Sequence, residues 1–270
     1  MKTKTTLKPP HFSSQTLTFL EKAGRQKNPN WLEKNRGEYE TLLANPLKHL
    51  AQHLKSNLGP LAPLYHFPQK GIGRIKRPSN RVKERGGSLY RDWMTYSAAR
   101  PAESRFERNP SLFFLMNPED TKDSVLVAGG LYMPSSRQVK AIRHAIGESP
   151  AFVQELDKLF ASKEFSKCFK GGFSDERISS RIPRGFDPAH PRMDWIRLQA
   201  FFVWRSYTRK EFASPKFAQF VERDWRQVLR LNALLDKAIR GLTSKPKPMN
   251  TSELADQLDV LKHRLRTPDF

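Results

Sequence analysis

The segment R-I-P-R-G-F-D-P-A-H-P, 181 to 191, puts two arginines, a carboxylate and an imidazole between three prolines and a glycine. Each Pro fixes φ and removes a backbone donor, so the run is neither a helix nor a central strand. Gly185 permits a turn after Arg184. Asp187-Pro188 and His190-Pro191 are turn formers that set side chains at fixed angles. An aspartate beside a histidine orients the imidazole as a base, so His190 is the acid/base candidate. The plainer alternative is that Asp187 caps the turn, or a helix starting near Pro191, while His190 bonds a carbonyl. A buried arginine needs an anion, and this marks Arg184 as a site residue.

A second stretch carries charge rather than geometry. Between residues 70 and 91 lie Lys70, Arg74, Lys76, Arg77, Arg81, Lys83, Arg85 and Arg91, against the single acid Glu84. Tyr65, Phe67, Tyr90, Trp93 and Tyr96 flank or interleave them. Basic side chains neutralise phosphates and aromatics stack on bases, so Lys70, Lys76, Arg81, Lys83, Arg85 and Arg91 are nucleic-acid-binding candidates. Equally, the stretch reads as a solvated loop whose aromatics face the core. The whole chain has 48 Lys and Arg against 27 Asp and Glu, a net charge of +21. Such an excess draws polyanions, whether nucleic acid, a small anionic ligand or an acidic protein partner.

Other chemistries find little footing. There is no P-loop, and Gly71-Ile-Gly73 is half a dinucleotide fingerprint. The lone Cys168 excludes an internal disulfide and reads as a small buried apolar residue. His49 and His53 stand at i, i+4 without the Glu of a metal-dependent hydrolase or a third ligand. No metal or cofactor is expected. The basic start lacks an apolar core for a secretory signal, and no run is long enough to span a membrane, so the expected place is the cytoplasm.

The elements that must hold these groups follow from periodicity. Residues 1–10 read as a flexible basic tail. Ser13 or Ser14 caps a helix that Gly24 ends. Asn30 with Glu33 has capping-box spacing. Tyr39, Leu43, Leu47, Leu50, Leu54 and Leu58 form one helical face that Pro46 interrupts, predicting a kink or two helices. The region 64–116 reads as strands joined by loops. Runs 111–116 and 124–128 around a turn-rich loop predict a hairpin, with Gly129-Gly130 marking a bulge or close backbone approach. Ser135 or Ser136 and then Ser149-Pro150 start two helices. Arg177 to Ile182 reads as a strand, and Ser214-Pro215 opens a helix to 240. Residues 243–250 read as a linker before a terminal helix, 252–266. Helices at both ends bracket strand-rich middle segments, which predicts α+β with an antiparallel or mixed central sheet and helices packed on it.

Four segments resemble a bacterial family labelled domain of unknown function 2461. N-P-N-W-L-E-K-N-R-G-E-Y-E, 28 to 40, is similar to its early Asn-rich helix. G-R-I-K-R, 73 to 77, is similar to the start of its R-x-x-R-D-x-R-F signature. G-G-L-Y-M-P-S-S-R-Q-V-K-A-I-R, 129 to 143, resembles its glycine-strand-to-helix step, and R-I-P-R-G-F-D-P-A-H-P its P-R-G-F-D-x-x-H-P run. Arg74 and Arg77 match the first signature arginines. Pro78 stands where the family has Asp, and Arg81, Arg85 and Tyr90 fit the rest only with altered spacing. The resemblance implies one domain over 11–242 and a shared polar constellation, with 243–270 as an addition. It carries no activity. The leading expectation is one basic pocket, lined by Arg74, Arg77, Tyr90, Arg181, Arg184 and His190, for a phosphate- or carboxylate-bearing ligand. A nucleic-acid-binding module on 70–91 is the second, and a protein that neutralises an acidic partner the third.

Overall fold

A computed structural model describes residues 9–241 apart from 103, 105, 106, 121 and 122. The expected tail, up to residue 8, and the expected linker and terminal helix at 243–270 therefore lie outside the described residues.

The first helix, α1 (Ser14–Gly24), starts where a capping box forms, Ser13 accepting from the backbone and Thr16 answering. α2 (Trp31–Lys34) and α3 (Arg36–Tyr39) are single turns. The capping box expected at Asn30 does not form. Its side chain makes no cap bond, and Glu33 pairs instead with Arg36 at 2.9 Å. A π-helical turn, Glu40–Ala44, leads into α4 (Asn45–Leu58), with Pro46 in its first turn, where a missing N–H costs nothing. The break expected at Pro46 thus falls just ahead of it.

The sheet has four antiparallel strands in chain order: β1 (Met94–Ala99), β2 (Ser111–Met116), β3 (Val125–Leu131) and β4 (Phe201–Ser206). The expected hairpin is β2–β3. Between β3 and β4 come α5 (Ser136–Glu148), α6 (Pro150–Ala161), α7 (Lys163–Cys168) and the short α8 (Met193–Ile196). α9 (Arg209–Phe212) and the long α10 (Phe217–Gly241) follow. Ser135 with Gln138 caps α5, and Ser149 ahead of Pro150 caps α6. The strand expected at Arg177–Ile182 reduces to one bridge between Ile178 and Leu198, and most of 64–93 is turns and isolated bridges.

Strand alternation splits the sheet into two unlike faces. Met94, Tyr96, Leu112, Phe114, Met116, Val125, Val127, Leu131, Phe201 and Val203 point inward and are buried. Helix α10 lies on this face and is itself packed by α4, α5, α6 and α7. Trp225 stacks on Tyr96 at 5.9 Å and donates its indole N–H to the Phe113 carbonyl. Asn232 donates to the Ser111 carbonyl at 3.2 Å, fixing the helix along the sheet. A Cβ at Gly129 would run into Val228, so the glycine sets how closely α10 approaches β3. The fold is α+β with helices on one face of an antiparallel sheet.

Candidate functional site

The basic stretch folds into a small clasp just ahead of β1. Arg91 donates its N–H to the Ile75 carbonyl at 2.8 Å, Arg77 donates its own to Leu89 at 2.9 Å, and Lys76 bridges Tyr90. That pairing turns Arg77 inward. Its side chain is only 5% exposed, and one Nη donates to Asp92 at 3.1 Å and to the Tyr90 carbonyl at 2.8 Å. The buried Arg77 Nε has no partner. A Cβ at Gly24 would sit 2.5 Å from the Asp92 Cβ, so the end of α1 must be glycine to leave the carboxylate room. Where the resembling signature has an acid after Arg77, this chain has Pro78, and the carboxylate that meets Arg77 is Asp92.

Tyr90 is fully buried. Its hydroxyl donates toward the carbonyls of Pro29, at 2.8 Å, and Asn28, at 3.2 Å, while its ring lies 5.3 Å from Trp31. It ties the 28–32 loop to the clasp and has no surface to offer a ligand. Arg74 is exposed and Arg91 half-buried, its guanidinium 5.3 Å over the Trp93 ring. Burial first, then the nearby charges of Arg77 and Arg74, push the Arg91 pKa down from its ordinary value. Three guanidiniums thus share one neighbourhood, and Arg77 takes the carboxylate there. Neither Arg74 nor Arg91 has an acidic partner among the described residues. Lys70, Lys76, Arg81, Lys83 and Arg85 are exposed around them, with Arg81 3.4 Å from Glu84.

The 181–191 segment lies elsewhere. The chain leading into it runs beside β4, with Ser174 donating its N–H to the Phe202 carbonyl and Ile178 bridging Leu198 just ahead of that strand. The clasp adjoins β1. By strand order these are opposite edges of the sheet, about 14 Å apart across three strand spacings. By register they are also opposite ends, because Met94 aligns with Met116 and Val125 whereas Phe202 aligns with Gly130 and Ser111. The single pocket expected from Arg74, Arg77, Tyr90, Arg181, Arg184 and His190 is therefore not assembled.

Within 181–191 the plainer reading holds for Asp187 but not for His190. Asp187 accepts the Ala189 N–H at 2.9 Å, an Asx turn. His190 Nδ1 accepts the Arg192 N–H at 3.1 Å, a backbone donor rather than the expected carbonyl. Arg181 and Arg184 are exposed, so the argument that a buried Arg184 requires an anion does not apply. Gly185 is left-handed at φ +86°, and Phe186 packs where a Cβ at Gly147 would stand, pinning the loop to the end of α5. Arg192 seals it, 2.6 Å from both Asp157 oxygens and over the Trp195 ring. His190, Asp157 and Arg192 edge an open groove of about 440 Å³ with Ile146, Pro150 and Val153.

One polar cluster escaped sequence reasoning. Asp224 on α10 is 0% exposed. It accepts from the Tyr207 hydroxyl and from Arg223 at 2.8 and 3.0 Å, and Arg205 Nε lies 3.8 Å away. The signal was present: an acid inside the apolar stripe Val221, Trp225, Val228, and an arginine at the inward register position opposite Val127. Desolvation, with the Asp224 charge second, holds the Tyr207 hydroxyl well above its ordinary pKa. Tyr207 is 3% exposed, so the cluster meets solvent only through Arg205 and Arg223. His49 and His53 gather no third ligand. His53 meets Glu222 at 2.7 Å, and no cluster of three metal-ligating side chains occurs among the described residues.

The fold defines an α+β protein whose long helix α10 is clamped between an antiparallel sheet and a helical layer. The chain matches, over residues 15–233, the model of the family described as a conserved hypothetical protein, DUF2461, and it belongs to that family. No curated protein and no solved structure matches it. No described helix is long and apolar enough to cross a membrane.

Proposed function

We propose that this protein binds phosphate- or carboxylate-bearing ligands at the corner formed by Arg74, Arg77 and Arg91. The observation that carries this reading is the mismatch of three guanidiniums with one carboxylate. Arginine's planar fork suits the two-point grip such a group needs. Arg77 is held by Asp92 and orients the corner, while Arg74 and Arg91 are the contacts. The reading assigns no reaction, and His190 has no part in it.

A second reading, a nucleic-acid-binding module, is supported by the spread of exposed cations over Lys70, Lys76, Arg81, Lys83 and Arg85 beside that corner. Calorimetry with inorganic phosphate, citrate and ATP tests the first reading. Arg74→Ala/Arg91→Ala should abolish binding and Arg181→Ala/Arg184→Ala should leave it intact. Equal binding by the first variant, or none by the wild type at low salt, rejects the corner. For the second reading, oligonucleotide affinity should fall steeply with salt, with a slope that shrinks as each cation is removed.

A further inference from the structure

The sheet face turned away from α10 is unlike an ordinary solvated face. Its positions are Thr95, Ser97 and Ala99 on β1, then Ser111, Phe113 and Leu115 on β2. Leu126, Ala128 and Gly130 follow on β3, and Phe202, Trp204 and Ser206 on β4. None is acidic, and Phe113, Leu115, Leu126 and Trp204 are half-buried without joining the hydrophobic core. Beyond α10 on the inner side, no described helix packs extensively on a strand.

The register arranges the aromatics. Phe113, Ala128 and Trp204 stand in one row across three strands, with exposed Ser97 at its β1 end. The alternation continues back from β1, since Asp92 and Met94 are buried while Arg91, Trp93 and Thr95 are half-buried. Trp93, under the Arg91 guanidinium, is therefore one corner of this face. Tyr132, 52% exposed and edge-on to Phe202 at 4.9 Å, is the diagonal corner. Arg177 lies over its ring at 5.5 Å. Trp93, Phe113, Trp204 and Tyr132 are thus spread over the face in steps of roughly 10–14 Å, between two arginine-covered corners about 28 Å apart on strand spacing and residue rise.

From this we infer that the open face is a stacking platform for single-stranded nucleic acid, with bases on Trp93, Phe113, Trp204 and Tyr132 and phosphates gripped at the Arg74–Arg91 corner. The inference rests on the nucleic-acid reading of that corner. Charge complementarity selects the occupant: cations at both corners and along 70–91, and no carboxylate on the face. Flat aromatic rings on an antiparallel sheet take unpaired bases of any sequence, whereas a duplex hides its base faces.

The test uses the full chain and a labelled oligothymidylate of about 12 nucleotides, within the usual single-strand site sizes, beside a duplex of equal length, each over a salt series. The single strand should bind more tightly than the duplex. Phe113→Ala/Trp204→Ala should lower single-strand affinity about tenfold or more with the salt slope unchanged. Ser97→Glu, an exposed substitution that leaves the aromatics in place, should weaken binding in a chain that folds normally. Arg74→Ala/Arg91→Ala should instead flatten the slope. Wild-type affinity in both face variants overturns the platform and leaves the corner standing, as does tighter duplex binding. Phosphate binding without any oligonucleotide binding does the same. A particle of twice the monomer mass that Ser97→Glu splits assigns the face to a second copy and also overturns it. Insensitivity of every ligand to Arg74→Ala/Arg91→Ala is the distinct failure of the corner itself.

Discussion

Arg77 and Asp92 form an ion pair inside the fold, their side chains 5% and 11% exposed, at the point where α1, the basic clasp and β1 meet. The clasp is oriented by this pair. Removing one member leaves the other charge buried and unanswered, which typically costs about 3–5 kcal/mol. Asp92→Asn should therefore lower the unfolding free energy by that order, read as a urea midpoint shift at constant slope. The paired change Arg77→Met/Asp92→Leu should cost less than Asp92→Asn alone, because no charge is then stranded.

Arg205 points into the core from an edge strand, a position usually kept apolar, because Asp224 on α10 waits there. Asp224→Ala should destabilise by about 3–5 kcal/mol, since the Tyr207 hydroxyl and Arg223 lose their acceptor and Arg205 its neighbouring charge. Tyr207→Phe removes one donor while Arg223 still satisfies the carboxylate, so about 1–2 kcal/mol is expected. If the two substitutions cost the same in chemical denaturation, Asp224 is not the hub of the cluster.

Cys168 gives an alkaline signature. Burial, and then the Asp224 charge, push its thiol up to about 11 from an ordinary 9.0. The folded state resists ionisation that the unfolded chain undergoes. The contribution is therefore whole below pH 9 and is lost as pH rises toward 11. By pH 10 about 1.4 kcal/mol should be gone, at about 1.4 kcal/mol per pH unit of difference. Tyr65, held up to about 12 by burial, adds its loss only above pH 10. Urea denaturation at pH 8 and pH 10 should show a smaller drop in Cys168→Ala than in the wild type. An equal drop would mean the thiol ionises as freely folded as unfolded.

What the sequence disclosed was mostly local. Ser13, Ser135 and Ser149 announce helix starts because a cap is satisfied by residues two or three positions away. The β2–β3 hairpin is equally local. Residues 64–93 read as strands, yet their order depends on distant partners. Tyr90 reaches Asn28 and Pro29, Leu89 reaches Gln26, and Tyr39 holds the Gly73 carbonyl. No periodicity records such contacts. Arg184 looked like a buried site residue because its neighbours are turn formers, but turn formers also build exposed loops. The one-pocket expectation failed on topology. Two arginine segments far apart in sequence can be joined or parted by strand order alone, and here they part. Asp224 stays hidden in the sequence because a helical stripe is defined by its apolar members.

The close approach of α10 to β3 makes a coupling that a double substitution can measure. A Cβ at Gly129 would overlap Val228 and also crowd the Ser111 carbonyl, at 2.8 Å. The side chain can be shortened; the carbonyl cannot. Gly129→Ala should therefore destabilise by roughly 1–3 kcal/mol through overpacking. Val228→Ala alone opens a cavity beside a glycine, and a loss of about 1–2 kcal/mol is expected, less than for truncating a larger core residue. Combined, the added methyl fills part of the space the valine gave up. The double variant should then be more stable than the sum of the single losses predicts, by at least about 0.5 kcal/mol. Strict additivity in denaturant titrations would place the strain of Gly129→Ala on the Ser111 carbonyl, and β2 rather than α10 would set the spacing at that point.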